Sequence, residues 1–301
     1  MSSQYERAVI ERERLNKNPN FLTLGIIGFI TVGLIILSVS LFGHSSKTNK
    51  VRTEFQKTLF EQTNELFDVN YLLMHRANKN KLYFFKLNKY TNQIQHRFDI
   101  ISEFIDINNV DVNAKKFAAS ERKYQTKINL ILGKKDNLIQ YHAALLKMKQ
   151  LLPKMLAQNT EINNLLFKSN ASKNHIYYVT RQLFLIERLV ASVNELIAYK
   201  TNPELLVTAS DRMGRDMVLI NRIYQGLLKG DYKMNVTKIN NLKVRDGLSK
   251  IDKIAKKISQ EVSVVLEKAP DVFQFINVRT DLQLESLKLQ KNYQALFFKD
   301  Y

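Results

Sequence analysis

Residues 248–265, LSKIDKIAKKISQEVSVV, place Leu248, Ile251, Ile254, Ile258, Val262 and Val265 at steps of three and four. That step follows the 3.6-residue turn of an α-helix and gathers six apolar side chains on one face. A half-buried strand would need alternation with period two, which this stretch lacks. Helical spacing returns at Phe55, Leu59, Leu66, Val69 and Leu73, in steps of three, four and seven. Tyr83-Phe84-Phe85 comes nearest to a strand, and it sits inside a helical pattern. Four Pro and nine Gly in 301 residues agree with an all-α chain.

Breaks in the pattern are few. Asn108 to Asn113 reads as a polar loop, Ser169-Asn170-Ala171-Ser172 as a connection, and Gly230-Asp231 as a helix end. Pro153 removes an amide donor, so a kink or restart is expected there. Asn202-Pro203-Glu204 has the cap and first-turn proline of a helix start, and Ala269-Pro270-Asp271 reads as the start of the last helix. Helices are therefore expected at 21–106, 114–168, 174–200, 203–229, 238–268 and 270–298. A continuous helix to residue 106 projects about 90 Å past residue 42, more than one compact bundle needs. The expected architecture is an elongated helical bundle of two stacked modules, 43–155 and 156–301, preceded by one transmembrane helix.

That transmembrane helix is Phe21 to Phe42, FLTLGIIGFITVGLIILSVSLF, which carries no charge. About 20 residues at about 1.5 Å each cross a hydrocarbon core of about 30 Å. A cleaved signal peptide has a shorter apolar core and small residues at its cleavage site. Here the run ends Leu41-Phe42-Gly43-His44, so a retained anchor is expected. Orientation stays open on charge alone. Arg7, Arg12, Arg14 and Lys17 on one flank match Lys47, Lys50, Arg52 and Lys57 on the other.

The chain has no Cys, which excludes disulfides and thiolate metal sites. Its formal charge is +18, nearly all of it beyond residue 42. Such a charge suits an acidic protein or phospholipid headgroups, and it also suits a solvated Lys-rich surface. Lys is spread over every helical face without a recognition motif, so no nucleic acid is expected. His44, His75, His96, His142 and His175 are scattered, with no H-E-x-x-H and no carboxylates at ligand spacing. There is no Gly-rich phosphate loop and no G-x-S-x-G. The expectation is a protein that is not an enzyme and uses no cofactor or metal.

Arg76 in Leu72-Leu73-Met74-His75-Arg76 and Arg188 in Leu185-Ile186-Glu187-Arg188 each follow an apolar pair, a faint internal repeat. Residues 181–199 (RQLFLIERLVASVNELIAY), 210–228 (SDRMGRDMVLINRIYQGLL) and 267–275 (EKAPDVFQF) then resemble, in order and spacing, the PilJ-type methyl-accepting transducers of type IV pilus chemosensory systems. The likeness covers about residues 150–290. In the first half it is confined to the surroundings of Arg76, where Met74-His75 replaces the usual Ser-Gln.

The resemblance implies a cytoplasmic N-terminus (1–20), a periplasmic helical sensory region and a homodimer in the inner membrane. It also implies a second transmembrane helix, a HAMP relay and a kinase-controlling hairpin. No second apolar run precedes Tyr301, so the sequence reads as the sensory part of a longer or truncated receptor. Type IV pilin is the implied protein partner. A chemosensory kinase and adaptor are implied through the missing cytoplasmic part. Two other readings stand beside it: an anion-binding input domain like that of nitrate-sensor histidine kinases, which share the module, and a non-signalling envelope scaffold. In a parallel dimer the stripe Phe55, Leu59 and Leu66 is expected at the shared axis.

The candidate binding residues are Arg76, Arg188, Arg212 and Arg215. A guanidinium fork grips a carboxylate or similar oxyanion with two bonds. Arg188 has the alternative of pairing with Glu187 or Glu195. In Asp211-Arg212-Met213-Gly214-Arg215-Asp216, the two Arg lie one turn apart and are expected on one face, with salt bridges across helices the favoured reading. Gly inside a helix costs about 1 kcal/mol, so Gly214 suggests a close helix approach. Tyr177 and Tyr178 are expected in packing, in the core or between modules.

Overall fold

A computed structural model of the chain describes residues 47–74, 81–107, 114–198 and 203–297. These form seven α-helices: α1 Lys47–Met74, α2 Lys81–Ile107, α3 Ala114–Gly133, α4 Lys135–Lys168, α5 Lys173–Ala198, α6 Pro203–Lys229 and α7 Leu242–Phe297. The described residues are all-α, with one isolated bridge between Asp231 and Val236. None of their helices is long and apolar enough to cross a membrane, and the run 21–42 lies outside them.

The chain divides into two compact units. Of the described residues, the smaller contains those within 47–70, 90–121 and 286–297, and the larger those within 71–89 and 122–285. Residues 155 and 156, where the sequence reading divides the modules, both lie within α4 in the larger unit.

In the smaller unit, α1 and α2 run antiparallel. Gln62 donates from Nε2 to the Ile94 carbonyl at 3.0 Å, and Phe55 stacks on Phe104 at 3.7 Å between ring centroids. Arg97 pairs with Glu61 at 3.0 Å and also with Glu65. This pairing overturns the continuous helix 21–106. A straight helix would hold Phe55 and Phe104 about 70 Å apart. The sequence offers the reason: Ala77 to Asn80 is short and Asn-rich, interrupting the apolar period between Leu73 and Tyr83. Phe55, Leu59, Leu66 and Val69 are buried here in the chain's own core, against the expectation that their stripe lines a dimer axis. The end of α7 completes this unit. Asn70 donates to Ser286 Oγ at 2.7 Å, and the Tyr293 ring meets Phe117 edge-on at 5.5 Å.

The larger unit holds an up-down-up-down bundle of α4, α5, α6 and α7. Each neighbouring pair is antiparallel by its contacts. Asn159 of α4 donates to the Val179 carbonyl of α5, and Gln182 of α5 to the Ile220 carbonyl of α6. Asn221 of α6 donates to Ser259 of α7 at 2.9 Å, and Lys147 of α4 pairs with Glu261 of α7. Across the middle, the Tyr224 hydroxyl donates to Asn159 Oδ1 at 3.3 Å. Asn159 and Gln182 are fully buried, and hydrogen bonding is what makes amides tolerable there.

The helix ends follow local chemistry. α4 stops at Asn170, whose φ of 49° sets up a Schellman closure with the Ala171 amide on the Leu166 carbonyl. Ser172 and Asn241 cap α5 and α7 by accepting from the His175 and Val244 amides at 3.3 and 3.2 Å. Gly230, at φ 87°, ends α6 as its sequence suggests. The loop that follows is ordered: Asp231 and Val236 exchange backbone bonds, and His175 Nε2 lies 2.6 Å from the Thr237 carbonyl.

Two further expectations are corrected. Pro270 lies inside α7 without starting a new helix, whereas Pro153 lies inside α4 as the expected helix through it allows. The buried stripe runs on through Val262, Val265, Val272, Phe275 and Ile276. Each such side chain gains about 1.5–3 kcal/mol on burial, and together they outweigh about 3 kcal/mol for an interior proline. The expected helix 114–168 is divided at Lys134, after Gly133.

Candidate functional site

The residues marked in sequence meet on the α5–α6 hairpin. α5 buries Gln182, Leu185, Ile186, Leu189, Ser192 and Val193, and α6 buries Met213, Asp216, Met217 and Ile220. Asp216 thus occupies a core position in an apolar stripe, and its side chain is fully buried. A buried carboxylate requires a charged partner. Arg188 supplies it across the helix pair. Its Nε donates to Asp216 Oδ2 at 2.9 Å and its other fork nitrogen to Oδ1, a bidentate pair. These bonds hold the guanidinium still more firmly charged, against the opposing effect of burial. Arg188 also lies over the Phe184 ring, with Cζ 5.7 Å from the centroid.

One turn along, Arg212 donates from Nε to Ser192 Oγ at 3.0 Å and pairs with Glu195. Ser192 in turn donates to the Arg188 carbonyl at 3.0 Å. Two ion pairs and a serine therefore form one polar seam between α5 and α6. The expected salt bridging across helices is present, with partners other than those read from sequence: Asp216 rather than Glu187 or Glu195 for Arg188. The missed signal was Asp216 itself, which shares a face with Met213 and Ile220 at i−3 and i+4.

Arg212 and Arg215 do not act together. Arg212 turns toward α5, while Arg215 is exposed and has no hydrogen-bond or ion-pair partner among the described residues. Arg76 lies outside the described residues. A Cβ built on Gly214 would meet Leu266 Cδ1 of α7 at 3.1 Å, the close approach that this glycine suggested. Tyr177 is 56% exposed and meets Tyr178 edge-on at 5.1 Å, so it is not a core residue. Among the described residues, no group of three or more His, Asp or Glu side chains is arranged to hold a metal ion.

A second polar cluster lies in the smaller unit. Glu121 is buried and accepts a hydrogen bond from Tyr293. Burial pushes its carboxyl up to about 8, the Tyr293 bond opposes this, and the Asp99 charge adds to it. Burial raises Glu65 as well, against the Arg97 contacts that lower it.

No family model matches the chain. It is 28% identical to Protein PilJ of Pseudomonas aeruginosa over 143 residues, which are 48% of this chain and 20% of PilJ. It is also 28% identical over 174 residues to AlkN of Alcanivorax borkumensis, described as a candidate methyl-accepting chemotaxis protein. That match covers 55% of this chain and 25% of AlkN. The chain thus spans only a fifth to a quarter of the length of these curated relatives. Over about half of its own length, it is similar to PilJ and to a methyl-accepting chemotaxis protein.

Proposed function

We propose that this chain is the membrane-anchored periplasmic sensory region of a PilJ-like chemoreceptor that regulates type IV pilus motility and surface sensing. The observation that carries the reading is the similarity to PilJ and AlkN. In this reading residues 1–20 are cytoplasmic, 21–42 anchor the chain in the inner membrane, and the helices beyond form two sensory modules of a homodimer. The region binds and relays; it performs no chemistry of its own. Type IV pilin is the candidate partner. A chemosensory kinase and adaptor are reached through a cytoplasmic part outside this sequence. The 56-residue α7 is suited to passing on a displacement of an ångström or two, since packed helices shift as rigid elements.

The Arg188–Asp216 pair favours a protein partner over a small anion. An anion at Arg188 would have to displace a buried carboxylate that already fills the fork. The test is an in-frame deletion of the codons for 47–297 in the source bacterium, scored by surface motility and by piliation. Loss of pilus-dependent spreading with pilin still produced supports the reading. Unchanged spreading and piliation would exclude it, leaving a non-signalling scaffold.

A further inference from the structure

Lys outnumbers Arg by 32 to 14 in this chain, yet between Asn174 and Leu228 the order inverts. That stretch has Arg181, Arg188, Arg212, Arg215 and Arg222 against a single Lys, Lys200, which falls between the helices. Lys173 and Lys229 stand only at the outer ends of α5 and α6, and a Lys-rich surface set by overall composition does not account for helix interiors whose cations are all Arg. Protein interfaces have this bias: Arg and aromatic residues are enriched, and Lys is depleted.

Tyr177, Arg181, Phe184 and Arg188 fall at i, i+4, i+7 and i+11 of α5, one stripe along the helix. Arg215, Leu219 and Arg222 make the matching stripe on α6, with Val218 beside them. The Arg188–Asp216 pair sets these stripes next to each other, because Arg188 belongs to the first and Arg215 adjoins Asp216. Phe184 is 59% and Val218 68% exposed. Arg188 is committed to Asp216, and Arg222 lies 3.8 Å from Asp231. Arg181 and Arg215 are exposed, with no partner among the described residues. The exposed acids nearest these stripes are Glu187, three residues after Phe184, and Asp211, four before Arg215, and neither pairs with Arg181 or Arg215; Glu195 and Asp216 are used by Arg212 and Arg188.

We infer that this face of the α5–α6 hairpin is a docking surface for an acidic segment of another protein, whose apolar side chain covers Phe184 and whose carboxylates meet Arg181 and Arg215. A guanidinium stacks on aromatic rings and binds carboxylates in the same posture, which Lys does not. A second copy of this chain is the poorer occupant. A two-fold contact through this face would set Arg against Arg between chains of charge +18. The inference deepens the transducer reading by giving its protein partner a landing face, and its test does not depend on motility.

The test is fluorescence anisotropy with the full chain in detergent micelles and a labelled helical peptide built only of Leu and Glu. Arg181→Glu with Arg215→Glu is expected to weaken binding at least about tenfold, and Phe184→Ala about fivefold, as anchor residues do. Lys253→Glu with Lys257→Glu, the same charge change on exposed residues of α7, is expected to weaken it less than about threefold. Equal losses from the two charge reversals would overturn the inference, since attraction would then follow net charge alone. So would a Phe184→Ala chain that binds like the parent. Binding of phosphatidylglycerol vesicles through Phe184 with no peptide binding would overturn it in favour of a lipid surface.

Discussion

Glu121→Gln is expected to stabilise the chain in mild alkali and to leave it nearly unchanged in mild acid. Glu121 is a buried carboxyl with Tyr293 as hydrogen-bond donor and Asp99 as a repelling charge. Its ordinary value of 4.5 rises to about 8 in the folded chain. The native state therefore holds a proton that the unfolded state has released, and stability falls as pH rises between those two values. Each unit of displacement is worth about 1.4 kcal/mol, so the loss approaches about 4 kcal/mol by pH 8. Gln keeps the size of the side chain and cannot ionise. Urea unfolding of both proteins at about pH 5 and about pH 8.5, followed by circular dichroism, gives the comparison. The variant is expected within about 1 kcal/mol of the parent in acid, and more stable by several kcal/mol in base. A variant that is no more stable than the parent at the higher pH would refute the assignment of Glu121 as a carboxyl buried without a cation.

Other substitutions test the seam and the helix contacts. Arg188→Ala strands the buried Asp216 carboxylate and is expected to cost about 3 kcal/mol, more than Asp216→Asn, whose guanidinium partner can turn to water. The double variant should recover at least about 1 kcal/mol of the summed loss in a double-mutant cycle. Gly247→Ala places a Cβ 3.0 Å from Ile162 Cγ1, a fully buried side chain, and is expected to lower stability by about 1–3 kcal/mol. Gly214→Ala meets the tip of Leu266, which is 39% exposed and can move, so its gain in helix propensity should leave it near neutral in thermal melts. Pro270→Ala restores an amide donor inside α7 and is expected to raise stability by about 1–3 kcal/mol in the same melts.

What the sequence made legible was periodicity. The stripe at 55–73 is buried as helical spacing requires, the one at 248–265 is buried except that Ala255 takes the core position expected for Ile254, and Gly230 ends its helix. Periodicity does not say what a stripe faces, which is why Phe55, Leu59 and Leu66 suggested a dimer axis and instead pack within their own chain. Nor does a proline outweigh a stripe that continues beyond it, as at Pro270. The site was half legible. Arg188, Arg212 and Arg215 stood out by residue type, but their different roles depend on the register between α5 and α6, a tertiary property. Within this seam, Asp216 was the acid whose position in an apolar stripe required a cation. The inversion from Lys to Arg across 174–228 was also open to reading in the sequence, although its meaning depended on seeing which Arg lack partners.

The central claim is that the described helices form an extracytoplasmic input region held by the run 21–42. The chain has no Cys, so single introduced thiols report topology without background. Ser249→Cys, exposed on α7, and Ser3→Cys can each be probed in spheroplasts with a membrane-impermeant maleimide. Labelling at position 249 in intact spheroplasts, with position 3 labelled only after lysis, is the predicted result. Labelling at position 249 only after lysis would contradict the account.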